Sequence, residues 1–393
     1  MAIVGSSVRL TMLLGVTQTL AWASSYYLPA ILATPMAAEL GMKRHWVFAA
    51  FSLSLLITAA CGPWVGQRID RFGGRKMLSL SSLTLAAGLV LLGLAQGATG
   101  LVLGWAIMGA GMAMGLYDAA FATLTRVFGR DARRAITGVT LMAGFASTLG
   151  WPMTAWLNDV FGWREACLIW AAVQLLVCLP LHRCLPNEEE RQAVSSAPPE
   201  DAEAGESATA RRWTMAGLAY VFAAGWFVST AMAAHLPGLL QETGISLATA
   251  VAAAALVGPA QVGARFAEFA LMRQAHPLVA ARVATCLHPL GAALLVALGM
   301  PAAGFAILHG AGNGLLTIAA GTLPLTLFGA RGYGARQGWL IAPARVAQAL
   351  SPWLFGMMLS AWGAGALWLT SGLLLAALAT LMMIRTRSAA VRP

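Results

Sequence analysis

Three charged side chains stand inside long apolar runs of this sequence: Asp118, Arg265 and Arg345. A charge near the centre of a bilayer costs about 2.5–3.5 kcal/mol or more on insertion scales, so each needs a reason to be there. Arg345 lies about 12 Å along a helix from the start of its run, too deep for easy snorkelling to the membrane surface. Arg265 stands one turn after Gln261, which offers a polar wall beside the guanidinium, and three residues before Glu268, an ordinary local ion-pair spacing. Two guanidinium groups facing one cavity repel unless an anion sits between them, and their planar forks suit a carboxylate. Asp118 follows Tyr117. Softer candidates are Trp22, Tyr26 and Tyr27 in the first apolar run, together with Tyr117 and Trp151, as flat walls and hydroxyl donors. Tryptophan and tyrosine also serve as interfacial anchors. His309 and Asn313 share a helix face in a glycine-rich run, where interhelical hydrogen bonding and ligand contact are both open. His235 is expected as a solvated histidine near a helix end.

The chain that must position these residues is apolar throughout. Of its 393 residues, 59% are hydrophobic and 10% charged, and mean hydropathy is +0.73. Soluble domains carry about 25% charge, so soluble, disordered and coiled-coil classes are excluded. The net charge of +10 sits in short clusters between the apolar runs, which argues against nucleic acid as a partner. The five cysteines have no paired or metal-ligand spacing. No P-loop motif, metal-spaced cluster or nucleophile–base pair is present, so no cofactor or metal is expected, and no enzyme. The first apolar run reads as an uncleaved span.

About 20 apolar residues cross a bilayer, and twelve such spans are expected near 10–33, 46–67, 77–97, 100–126, 135–158, 164–184, 213–238, 246–271, 277–299, 301–328, 337–359 and 364–384. Twenty Lys/Arg residues fall on one side of this topology and three (Lys43, Arg44, Arg164) on the other. By the positive-inside rule both termini are expected to be cytoplasmic. The stretch 185–212, acidic and rich in Pro, Ser and Ala, reads as a cytoplasmic linker between helical halves 1–184 and 213–393. The halves match weakly in register. Tyr27-Leu28-Pro29 recurs as His235-Leu236-Pro237, Gly41 pairs with Gly244, Phe128-Gly129 with Phe328-Gly329, Pro152 with Pro352, and Gly109-Ala110-Gly111 with Gly310-Ala311-Gly312. A duplicated six-helix unit leaves such a series, with the pathway between the copies.

The loop after the second span, Gly66-Gln67-Arg68-Ile69-Asp70-Arg71-Phe72-Gly73-Gly74-Arg75-Lys76, resembles the G-x-x-x-D-R-x-G-R-[KR] signature of the major facilitator superfamily, with one extra glycine. The resemblance implies an all-α membrane fold of twelve helices in two pseudo-symmetric six-helix bundles. It implies a transporter working by alternating access in a bacterial inner membrane. Gly66, Asp70, Arg71, Gly74 and Arg75 would form a conformational latch, and Asp118 would either partner the Arg75 side of it or act as a protonation site. Two departures stand. Trp105 occupies the region where many proton-coupled members carry an arginine, and Gly144 to Pro152 only partly matches the glycine–proline antiporter pattern. Arg265 and Arg345 lie in the helices that carry substrate-binding cations in the monocarboxylate and oxalate:formate branches, although Gln261 replaces the acid of the monocarboxylate branch. The expected substrate is therefore a small organic anion such as a carboxylate, moved by a monomer with protons or a counter-anion as the co-substrate. The alternatives are an efflux transporter of apolar or cationic compounds and a transport-inactive membrane sensor.

Overall fold

In a bilayer every backbone polar group must be satisfied within the protein, which leaves helices as the spanning element. The computed structural model describes residues 2–128, 132–186, 208–271, 276–328 and 333–384, and all spans among them are helical. Most of the expected linker, 187–207, lies outside the described residues, as does the side chain of Asp70.

Among the described residues the twelve expected spans follow the sequence order, and four of them are broken within the span. The first runs Ala2–Ser24 and resumes as Pro29–Glu39. The second is Arg44–Phe72 and the third Gly74–Gly93. The fourth divides into Ala98–Gly115 and Tyr117–Phe128, the fifth into Ala132–Ala143 and Ala146–Phe161. The sixth begins with Trp163–Val173 and ends with Leu179–Arg183. In the second half come Ala208–Gln241, then the eighth span as Leu247–Ala255 and Val257–Leu271. Pro277–Leu298, Ala302–Phe328, Tyr333–Trp362 and Ala366–Met383 complete the bundle.

The internal repeat reappears as matched contacts. A Cβ on Gly109 of the fourth span would lie 2.9 Å from the Cα of Ser54 in the second; a Cβ on Gly310 of the tenth would lie 2.9 Å from the Cα of Val257 in the eighth. Only glycine permits both approaches. Gly41 and Gly244, equivalent residues at helix ends, both take positive φ, 63° and 90°.

Two of the breaks free backbone carbonyls that polar side chains from neighbouring spans take. The buried Gln18 donates from Nε2 to the Gly115 carbonyl at 2.6 Å, where the fourth span stops. Thr148 Oγ1 donates to the Ala255 carbonyl at 2.8 Å, where the eighth stops. Buried glutamine in an apolar helix is thereby explained.

The core is arranged unevenly along the membrane normal. On the face away from the termini one apolar cluster joins both halves, with Phe48, Phe51, Trp105 and Trp151 of the first packed with Met232, Leu236, Phe355 and Leu359 of the second. Towards the terminus-bearing face the core divides. Leu14, Ile69, Leu124 and Val139 form one cluster, and Leu218, Phe222, Leu323 and Leu381 another. The halves are thus sealed on one face and parted on the other.

The seal corrects one expectation. His235 is fully buried rather than solvated; its ring lies 3.8 Å from that of Phe48, and Nε2–H donates to the Pro352 carbonyl at 2.8 Å. Just outside the bundle, Arg164 binds Glu39 at 2.8 Å and also donates to the Gly93 and Ala95 carbonyls that end the third span. That guanidinium, and then the Trp163 indole, hold the Glu39 carboxyl below its usual range.

The capping of breaks by side chains has a measurable consequence. Gln18→Leu orphans the Gly115 carbonyl and should destabilise the purified protein by about 1–2 kcal/mol, read as a lower midpoint in thermal unfolding. An unchanged midpoint would show that the carbonyl is satisfied by other means.

Candidate functional site

The breaks place side chains into the space between the halves. In the first span, residues 25–28 turn out of the helix between Ser24 and Pro29, and this turns Tyr26 towards the second half. Its hydroxyl lies 2.7 Å from Thr230 Oγ1 of the seventh span and accepts from Gln348 Nε2 of the eleventh at 3.0 Å. Gln348 Oε1 in turn accepts from Arg345 Nη1 at 3.4 Å. Arg345 Nη2 binds Asp118 Oδ2 at 2.8 Å. A continuous polar chain, Thr230–Tyr26–Gln348–Arg345–Asp118, thus crosses between the halves.

Asp118 stands in the first turn of the helix that begins at Tyr117, where unpaired N–H groups and the helix dipole favour a carboxylate. The break at Leu116 is what gives this mid-membrane residue a helix N-terminus. Its side chain is 70% exposed and that of Arg345 43%. Since the pair joins the two halves, that exposure is to the space between them. An ion pair so exposed contributes about 0–1 kcal/mol. It can therefore be exchanged at little cost.

Arg265 is met differently. It is half-buried, and its Nη1 donates to the Thr140 carbonyl at 3.3 Å while Nη2 donates to Thr317 Oγ1 at 3.2 Å. Thr140 lies in the last turn before the fifth-span break, and its carbonyl also accepts from the Gly144 N–H at 2.9 Å, so Arg265 shares an acceptor that is already paired. Thr317 is oriented by donating to the Asn313 carbonyl. Arg265 is also close enough to act electrostatically on the hydroxyls of Tyr27 and Tyr117. Among the described residues no carboxylate pairs with it, and the local Arg265–Glu268 ion pair does not form.

Aromatic rings line the first half's side of this chamber. Trp22 packs 4.8 Å from Tyr26 and 4.9 Å from Tyr117, and Tyr27 packs edge-on to Trp151 at 5.3 Å. Trp22, Tyr27 and Tyr117 are partly exposed. Trp151 and Trp105 are fully buried behind them and belong to the core.

Several sequence expectations change here. Arg265 and Arg345 do not form a ready two-cation clamp, because Asp118 already occupies Arg345; an anion reaching both must displace that carboxylate. Asp118 is joined to Arg345 of the opposite half, not to Arg75. Arg75 lies at the start of the third span, at a cavity with Lys76 and Arg183. Arg71 is exposed, Gly66 is partly exposed, and Gly74 is buried against Thr123. With the Asp70 side chain outside the described residues, the latch has no described geometry. His309 is removed from the chamber: its Nδ1 lies 3.0 Å from Nδ1 of His288, whose Nε2 reaches Thr370 at 2.9 Å, all within the second half. Asn313 borders a cavity of about 20 Å³ beside that pair, room for one water molecule. Gln261 is buried against Gly314 and donates nothing to Arg265. The residues missed in the sequence are Thr230, Gln348, Thr140 and Thr317. Gln348 had a signal, one turn after Arg345; the threonines had none. Among the described residues no group of His, Cys, Asp and Glu is placed to hold a metal ion.

The family model described as Major Facilitator Superfamily matches residues 14–306. The purine ribonucleoside efflux pump NepI of Salmonella typhimurium is 25% identical over 163 residues, and the protein of the same name from Salmonella typhi matches equally. That alignment covers 41% of this chain and 41% of each relative, so the match spans about two-fifths of their length. Among solved structures, a point mutant of the nucleoside transporter NupG superposes with a TM-score of 0.75 at 11% identity, covering 96% of this chain and 98% of that one. A bacterial homologue of the human lysosomal transporter Spinster, inward-facing and unoccupied, superposes with a TM-score of 0.68 at 18% identity, covering 96% and 94%.

The exposed ion pair gives a test in folded protein. In a cycle of Asp118→Ala, Arg345→Ala and the double variant, the coupling measured by thermal or denaturant unfolding should stay below about 1 kcal/mol. A coupling of several kcal/mol would mean the pair is dry and structural rather than open to the chamber.

Proposed function

The chain belongs to the major facilitator superfamily and is a membrane transporter, and from that premise we propose that its cargo is a small organic monoanion with a flat or apolar body, carried as a carboxylate on Arg265. The observation that carries this reading is the state of Arg265. It sits beside tyrosines in mid-bundle, meets only neutral acceptors and has donors to spare. The carboxylate described in the chamber, Asp118, is held by Arg345. Two guanidiniums against that one carboxylate leave the described chamber with one uncompensated positive charge, which favours a monoanion over a cation and weakens the cationic-drug alternative. Trp22, Tyr27 and Tyr117 supply the wall for the uncharged part.

A second reading is an uncharged nucleoside, its base against those rings and its hydroxyls on Asp118 and Gln348. The aromatic wall favours it, as do the names of the relatives. In either case transport proceeds by alternating access, driven by an ion or solute gradient. We place the basic, terminus-bearing face in the cytoplasm of a bacterial cell, with halves 1–184 and 213–393 joined by the 185–212 linker. The parted face then makes the described state open inward.

The two readings separate on charge. Benzoate should stabilise the purified protein in a thermal-shift assay and support counterflow in proteoliposomes, whereas benzamide, of the same shape without the charge, should not. Arg265→Gln should weaken benzoate binding about thirtyfold or more, and Arg265→Lys should recover only part of it, for want of the planar fork. Equal binding of benzoate by wild type and Arg265→Gln, or stabilisation by inosine alone, would overturn the anion reading.

A further inference from the structure

A second basic site lies outside the chamber, on the flank of the first half. Arg75 and Lys76 open the third span and Arg183 closes the sixth, so three cations from two helix ends meet at the terminus-bearing face. They border a cavity of about 620 Å³ whose other walls are Ser79, Leu80 and Leu83. The helix start adds to the positive potential, and its N-cap, Gly73, offers no side-chain cap. Ser79, one turn further in, has a buried hydroxyl with no hydrogen-bond partner. Neither Arg75 nor Arg183 makes a described ion pair. Below the cations the surface changes character: Leu80 and Leu83 are 41% and 42% exposed, and Leu176 of the sixth span is 76% exposed. On a spanning helix such leucines face the hydrocarbon.

Cations at the end of two spans, above an apolar strip one turn deeper, match the two parts of one molecule. We infer that this groove binds an anionic phospholipid, its headgroup phosphate on Arg75 and Arg183 and its acyl chains along Leu80 and Leu83. A soluble phosphate would use the cations and leave the leucine strip unoccupied. The occupant is therefore a lipid, and its place beside the loop joining the second and third spans puts it where a bound headgroup would steady that loop.

Native mass spectrometry of the full, detergent-purified chain tests this with defined probes. Phosphatidylglycerol should be retained in preference to phosphatidylcholine with identical chains. Arg75→Gln and Arg183→Gln should each weaken phosphatidylglycerol binding roughly fivefold, and the double variant roughly twentyfold to thirtyfold. Arg212→Gln, removing an exposed charge at the start of the seventh span in the other half, should leave it unchanged. Arg183 is exposed and makes no described hydrogen bond or ion pair, so its single variant should fold and keeps the test decisive. Equal retention of phosphatidylcholine, undiminished phosphatidylglycerol binding by Arg183→Gln, or displacement of the lipid by equimolar inorganic phosphate would overturn the assignment.

Discussion

A polar group in the middle of an apolar bundle must be met by an acceptor, a counter-charge or water, and most of this molecule's irregularity follows from that constraint. Four spans break in mid-membrane, and at two of the breaks a released carbonyl is met by a side chain from another span. Gln18 takes one and Thr148 the other, while Arg265 shares the already paired Thr140 carbonyl in the last turn before the fifth-span break. The breaks also supply what the charges need. Asp118 gains a helix N-terminus, and Tyr26 is turned out of its helix to reach Thr230 and Gln348. The chamber is the place where broken backbone and buried charge solve each other's difficulty.

The way the two halves are joined fits a device that must come apart. Their shared apolar cluster lies on one face, where His235, Phe48 and Phe355 interlock. Towards the other face they touch through polar contacts at the chamber, and each keeps its own core. Apolar packing holds the sealed side, while the cross-half polar contacts are ones that water or a bound solute can replace. Rocking about the chamber would therefore exchange one sealed face for the other without unfolding either half.

Much of the fold was legible in residue patterns. Apolar run lengths and the positions of Lys and Arg marked the spans, and the ordered matches between halves anticipated the symmetric glycine contacts at Gly109 and Gly310. The depth of Asp118, Arg265 and Arg345 was legible too, because charge in an apolar run is conspicuous. Their partners were not. Asp118 and Arg345 are separated by 227 positions, and nothing local to either says that they meet. Tyr26 and Thr230 are separated by 204. The break at Leu116 carries no proline, so tertiary packing rather than local propensity sets it. His235 was misplaced, and His309 left between interhelical hydrogen bonding and ligand contact, for a related reason: a histidine can be a solvated rim group, a ligand contact or a buried hydrogen-bonding residue, and only its neighbours decide.

The central claim is that one chamber is exposed alternately to the two faces by relative motion of the halves. Distances between paired spin labels test it most directly. One pair sits at Val127 and Thr326, at the ends of the fourth and tenth spans on the parted face, and the other at Lys43 and Thr243 on the sealed face, with the native cysteines replaced. In nanodiscs without substrate, alternating exposure predicts a wide separation at 127–326 and a narrow one at 43–243. A transported solute should then raise a population in which both are reversed. Distances that stay fixed during verified transport, or that lengthen on both faces together, would contradict it.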